Sequence, residues 1–324
     1  PRGQWQQITR FEDQVQQAVL GRDGHVYLLS RQDAPRGKIL RLPLDNPVLK
    51  DAQTVVQERS GAISHFEPTD TRLYVVEMDG GPSRLYTFDH HGNELGEVPV
   101  EPVASIWQIV RLAGDEILFR SGSYITPPAW YRHNPETGET RRTAMFVTSP
   151  ADFSDCEVVR VFAASRDGTR VPLNIIRRKG TPQDGHTPAL LTGYGGYGFS
   201  LTPNFNIRRR IWLDQGGIIA IANLRGGGEY GEEWHLAGNL TNKQNVFDDF
   251  IGCARHLIEQ RYSSPEKLCI EGGSNGGLLM GAALTQQPEL YRVVVSHVGL
   301  YDMLRVELDP NGAFNVTEFG TVEN

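Results

Sequence analysis

The chain has 324 residues, a net charge of −7, 39 % hydrophobic and 22 % charged residues. That length exceeds what one hydrophobic core usually organises, so two domains are expected, in a chain of ordinary globular composition. The acidic balance without a basic block argues against a nucleic-acid partner, no apolar run approaches a membrane span, and three scattered cysteines (Cys156, Cys253, Cys269) have neither metal-ligand spacing nor the even number of a disulfide framework. The sequence begins at Pro1 and not Met, and a chain that starts mid-sequence cannot show a signal peptide, so the compartment is open. Its few cysteines fit a reducing cytoplasm, and a periplasm stays compatible. A monomer is the expected state.

Residues 1–148 carry a period. Apolar runs at 26–29, 73–76 and 117–120 recur at roughly 45-residue intervals, the range of propeller blades. A second strand follows each, at 39–42, 85–88 and 130–133, and a third is expected at 54–57, 95–98 and 140–146. The turn signals Arg22-Asp23-Gly24, His91-Gly92-Asn93 and Glu136-Thr137-Gly138 lie between strands. Runs such as Leu-Tyr-Val-Val mix aromatic and β-branched residues, which suit a pleated, half-buried surface. About three blades are therefore expected. Three do not close a ring, since propellers usually have about four to eight, so a stretch of a longer propeller is the expectation. The bland alternative is an antiparallel sandwich with evenly spaced strands.

The pattern changes after Pro150. Segments 157–163 and 171–176 read as a hairpin around Arg166-Asp167-Gly168, with Pro172 demoting the second strand toward an edge. Uninterrupted apolar strands follow at 189–192, 217–222, 268–270 and 293–297, as in sheets covered on both faces. Cys269 falls within one of them and reads as a small buried hydrophobe. Between them, Val246, Phe250, Ala254, Leu257 and Ile258 keep helical spacing over 244–260, and a second helix runs 276–287 until Pro288 stops it. Alternating strands and helices predict a doubly wound, mostly parallel sheet for residues 149–324.

The segment Gly272-Gly273-Ser274-Asn275-Gly276 fits G-x-S-x-G between a strand and a helix. Such an elbow lifts a serine hydroxyl above the sheet edge, and flanking glycines keep Cβ atoms out of the bend. The Asn275 amide then faces a developing oxyanion, supported by the helix N-terminus. Two glycine-rich loops lie at neighbouring strand ends, 192–199 and 223–231. Gly226, Gly227 and Gly228 lack the context of a dinucleotide site and the spacing of a P-loop, and are read as permitting a tight turn. Arg225 and Glu229 are read as structural ion partners, and Asp248 and Asp249 as dipole complements or a buried anchor.

The segments Gly193-Tyr-Gly-Gly-Tyr197, Ala222-Asn-Leu-Arg-Gly-Gly-Gly-Glu-Tyr-Gly231 with Trp234-His235, Asn242-Lys-Gln-Asn-Val-Phe-Asp-Asp-Phe250 and Gly272-Gly-Ser-Asn-Gly-Gly277 resemble the prolyl oligopeptidase family of serine peptidases. The resemblance runs from about Asp155 to Asp302, and the blade repeats agree with the family's propeller. Asn275 resembles the prolyl oligopeptidase branch more than the oligopeptidase B branch, which usually has alanine there. The resemblance implies an α/β-hydrolase fold, preceded by part of a β-propeller acting as a size filter. It implies short peptide substrates, no cofactor and no metal. It makes Ser274 the acylated nucleophile, with the Asn275 N–H and the Tyr194 hydroxyl as oxyanion donors. Tyr197 takes the place of the aromatic specificity-pocket residue, Leu300 that of an apolar wall, and Phe319 that of a second aromatic. The family's proline-stacking tryptophan falls, counted without gaps, at Asn315, which cannot stack on a pyrrolidine ring; Phe314 stands next to it. Cleavage after proline is thus expected with strict specificity in question.

A serine nucleophile needs a base and an acid to orient it, and in this fold they follow in the order Ser, Asp or Glu, His. The only histidine after Ser274 is His297, which precedes most of the following acids and is not read as catalytic. Both ends of the sequence are therefore expected to be cut, the domain stopping before its Asp and His loops. The chain as given is expected to bind weakly and turn over nothing. Alternatives are an esterase, a family peptidase without strict proline preference, and, were Asn324 a true terminus, a non-catalytic propeller and hydrolase binding protein.

Overall fold

A computed structural model describes residues 6–323. The chain divides into two compact units, Pro1–Ser123 with Pro127–Thr148, and Tyr124–Thr126 with Ser149–Asn324.

The first unit holds three four-stranded antiparallel sheets. They comprise β1 (Val15–Leu20), β2 (His25–Ser30), β3 (Lys38–Pro43) and β4 (Gln53–Val56); β5 (Ala62–Pro68), β6 (Arg72–Met78), β7 (Ser83–Asp89) and β8 (Glu94–Val98); and β9 (Ala104–Arg111), β10 (Ile117–Ser123), β11 (Ala129–Asn134) and β12 (Glu139–Phe146). Strands follow chain order within each sheet, the meander of a propeller blade. Alternation explains the apolar runs. Leu73 and Val75 of β6 face a core shared with Tyr27, Leu29, Ile39 and Phe66, whereas Tyr74 and Val76 face one shared with Ile106, Ile117 and Phe119. A middle sheet is thus apolar on both faces.

The sequence pattern gives three strands per repeat; the structure has four. The added strand comes first in each sheet: β1, β5 and β9. These carry Gln16 and Gln17, His65 and Glu67, or Ser105 and Gln108, and β1 is half-buried only on alternate residues and exposed on the others. No continuous apolar run announces them.

The second unit is built on one six-stranded sheet: β13 (Cys156–Ala164), β14 (Arg170–Arg178), β15 (Ala189–Thr192), β16 (Ile218–Ala222), β17 (Leu268–Gly273) and β18 (Val293–His297), in spatial order β13-β14-β16-β15-β17-β18. Only β14 runs against the others. The helices are α1 (Arg209–Asp214), α2 (Glu232–Leu236), α3 (Gln244–Glu259), α4 (Asn275–Gln286) and α5 (Val316–Phe319). Helix α3 buries Val246, Phe250, Ala254 and Leu257 against Leu173, Leu191, Ala220 and Ile270, so helical and strand periodicities meet in one core.

One strand assignment needs correction. Pro172 does not place β14 at an edge, because β14 pairs with β13 on one side and β16 on the other. The β16 ladder starts at Leu173, and the Pro172 carbonyl accepts from Asn223 N at 3.0 Å, just past its end. The missing proline N–H thus falls at the end of the β16 ladder and not within it.

Candidate active site

The carboxyl ends of β15, β16, β17 and β18 lie along one edge of the sheet and deliver four segments there. Strand β17 ends at Gly273, α4 begins at Asn275, and Ser274 between them has φ 58° and ψ −120°. A non-glycine residue held at positive φ stores strain that its surroundings must enforce. Here Ser274 N donates to His297 O at 2.9 Å, and Ser274 O accepts from Gly277 N and Leu278 N at 2.8 and 3.1 Å. The Ser274 side chain is left exposed. Two of the glycines are sterically required. A Cβ on Gly272 would lie 2.3 Å from Gly276 O, and one on Gly277 would lie 2.6 Å from Gly299 Cα.

The 192–199 loop lies against this elbow. Asn275 Nδ2 donates to Tyr194 O at 2.5 Å, and a Cβ on Gly196 would lie 2.6 Å from that same nitrogen. Tyr194 is half-buried, its ring edge-on to Phe199 at 5.3 Å. The structure thus brings Tyr194 beside Asn275, whose own N–H is among the helix-start donors without an intrahelical acceptor.

A cavity of about 740 Å³ opens in front of Ser274, with Tyr197, Leu300, Phe314 and Asn315 in its lining. Tyr197 has φ 57° and donates its hydroxyl to Asn315 Oδ1 at 2.6 Å. Phe314 stacks on the Tyr197 ring at 5.2 Å with 16° between planes. Phe319 stands edge-on to Tyr197 at 5.9 Å and supports that ring from outside the cavity lining. Asn315 is buried and spends its side chain on Tyr197, so the aromatic surface at this wall is the exposed Phe314.

The His297 imidazole does not hydrogen-bond Ser274 among the described residues; its Nε2 lies 3.0 Å from Glu271 Oε1 on the sheet surface. Arg225 and Asp249 form the buried anchor. The Arg225 guanidinium reaches Asp249 Oδ1 at 2.6 Å and Asp167 Oδ2 at 2.6 Å, and Asp249 Oδ2 also accepts Arg225 N at 3.0 Å. The Arg225 hydrogen bond holds the Asp167 carboxyl down at about 2. Glu229 requires a correction, because no cation pairs with it among the described residues. Its Oε1 accepts from Leu201 N and Asn223 Nδ2 at 2.9 and 3.2 Å, its Oε2 has no partner, and burial pushes the carboxyl up to about 7.

A cluster of Glu318, His235 and Lys243 was not anticipated as a unit. Its members are 75 or more residues from Glu318 in sequence, so no local spacing signals it. The isolated polar letters in the Trp234-His235 and Asn242-Lys243 segments are its only trace in the sequence.

Fold and elbow together define an α/β-hydrolase preceded by β-propeller blades. The chain belongs to the prolyl oligopeptidase family: residues 203–324 match the model of the prolyl oligopeptidase family and residues 1–144 that of its N-terminal beta-propeller domain. It is 33 % identical over 321 residues to a prolyl endopeptidase of Elizabethkingia meningoseptica, covering 98 % of this chain and 45 % of the relative. It is 31 % identical over 286 residues to Protease 2 of Moraxella lacunata, covering 87 % of this chain and 41 % of that protein. A solved structure from an analysis of two prolyl endopeptidases superposes with a TM-score of 0.86 at 36 % identity, over 95 % of this chain and 46 % of that one. Oligopeptidase B from Leishmania major gives 0.82 at 28 % identity, over 94 % and 45 %. The chain thus spans about half the length of the relatives it matches.

Proposed function

We propose that this chain carries the nucleophile, the oxyanion donors and one wall of the substrate cavity of a serine peptidase that hydrolyses short peptides through an acyl-enzyme. The observation that carries the reading is Ser274 itself, strained at the apex of the elbow, exposed, and facing a cavity. Ser274 Oγ attacks the scissile carbonyl, the carbonyl oxygen becomes an oxyanion, and the Asn275 N–H and Tyr194 hydroxyl donate to it. The amine product leaves and water releases the acyl group. Both proton transfers need a base with an orienting acid, so the test belongs in the natural full-length protein.

For specificity, we favour cleavage after proline or another small apolar residue, with relaxed preference. Phe314 and Tyr197 offer an aromatic face on which a pyrrolidine ring or a small side chain can pack, while Asn315 is withdrawn into its bond with Tyr197. A fluorophosphonate probe should label the full-length protein, and Ser274→Ala should abolish labelling together with hydrolysis of chromogenic peptides. Labelling that persists in the variant removes Ser274 from the nucleophile role.

A further inference from the structure

The acyl chemistry makes no use of a buried ion cluster beside the cavity. Glu318 in α5 is 1 % exposed. Its Oε2 accepts from Tyr197 N at 2.8 Å and lies 3.2 Å from His235 Nε2, and its Oε1 lies 2.7 Å from Lys243 Nζ. Lys243 Nζ also donates to Gly195 O at 3.0 Å, and His235 Nδ1 lies 3.2 Å from Glu232 Oε1. The cluster ties α5, α2 and the start of α3 to the loop that carries Tyr194 and Tyr197.

Geometry gives this arrangement a purpose. Tyr197 sits at positive φ, a conformation that a non-glycine residue holds only under constraint. The segment around α5 supplies that constraint at two points: Glu318 takes the Tyr197 N–H, and Asn315 takes its hydroxyl. The same segment presents Phe314 to the cavity. A buried carboxylate is costly away from its cations, so Glu318 has one favourable position. Burial pushes the Glu318 carboxyl up, but hydrogen bonds from His235 and Lys243 outweigh it and hold the group below the usual glutamate range.

We propose that Glu318, clamped between Lys243 and His235, is a positioning residue that latches the Tyr197–Phe314 wall of the cavity and so sets affinity for the substrate residue that packs there. The inference rests on the serine-peptidase reading and adds a determinant to it. The latch is sensitive to protonation of His235. The charged groups facing His235 are Glu232 on its own helix, Glu318 across from it, and Lys243 on the other oxygen of Glu318. Hydrogen bonds to Glu232 and then Glu318 push the imidazole up to about 9 against the effect of burial. Above that pH the imidazole is neutral and Glu318 keeps one cation instead of two.

The test is steady-state kinetics of the natural full-length protein on chromogenic peptides. Glu318→Gln should raise KM about tenfold or more while kcat stays within about threefold, the pattern of lost binding rather than lost chemistry. Wild-type KM should climb above about pH 9. His235→Gln should start from a raised KM at neutral pH and show no alkaline rise. Should Glu318→Gln fail to fold, His235→Gln decides alone. Wild-type KM with the alkaline rise intact in the variants overturns the latch, as does a fall in kcat at constant KM. Failure of the underlying reading looks different: the wild-type protein would not be labelled at Ser274 by a fluorophosphonate.

Discussion

The Tyr194 hydroxyl is the residue whose removal isolates one interaction most cleanly. The Tyr194 backbone is held by Asn275 Nδ2 and its ring rests on Phe199, and neither contact uses the phenolic oxygen. Tyr194→Phe should therefore leave the fold intact and lower kcat of the full-length protein by about one to three orders of magnitude, the usual cost of one oxyanion donor. An unchanged kcat takes Tyr194 out of the oxyanion hole. The strand–turn–helix geometry of the elbow was legible because it is written locally: a serine, its flanking glycines and the residue after it occupy consecutive positions. Glu318, His235 and Lys243 were not legible, because three ordinary polar residues become a cluster only once the chain folds. Glu229 was misread for a related reason. A glutamate four residues from an arginine suggests an ion pair, yet Arg225 is already engaged by Asp249 and Asp167, and Glu229 turns to Leu201 N and Asn223 instead.

Among the elements, the β17–elbow–α4 unit is tightly constrained. Ser274 N is tied to His297 O across the sheet, so the turn cannot relax by sliding toward β18. A methyl at Gly272 meets a backbone oxygen, Gly276 O, at 2.3 Å, whereas one at Gly273 meets His297 Cβ at 3.6 Å, an ordinary contact. Gly272→Ala should thus destabilise the protein by about 1–3 kcal/mol, the usual cost of overpacking, and slow fluorophosphonate labelling. Gly273→Ala should leave the melting temperature close to wild type. Equal melting temperatures for the two variants would refute the steric account. The same physics decides which elements the sequence reveals. Strands apolar on both faces, such as β6, β15 and β16, stand out as continuous runs. The first strands of the blades, half-buried and interrupted by Gln, His and Glu, do not. Pro172 misled because a proline's effect depends on where the neighbouring ladder ends, which is a tertiary fact.

At the scale of the whole molecule, stability carries a penalty from the buried Glu229 carboxyl. It is 1 % exposed in the loop after β16, with Oε1 hydrogen-bonded and Oε2 unpartnered among the described residues. Burial raises it from 4.5 to about 7, against the opposing hydrogen bonds from Leu201 N and Asn223. Between those values the folded protein binds a proton that the unfolded chain has released, so stability must fall as pH rises through that window. Below it both states are protonated and the carboxyl carries no penalty. Above it the penalty is complete, on the order of 3 kcal/mol at about 1.4 kcal/mol per pH unit. Gln keeps an oxygen for Leu201 N and Asn223 Nδ2 and cannot ionise. Thermal unfolding of wild type and Glu229→Gln, followed across about pH 4 to 8, should therefore show equal stability at the acid end. The variant should gain progressively toward neutrality and reach a constant advantage above about pH 7. A gain independent of pH would mean that packing, and not ionisation, distinguishes the two side chains. A loss at every pH would mean that Oε2 accepts a hydrogen bond that the glutamine amide cannot replace.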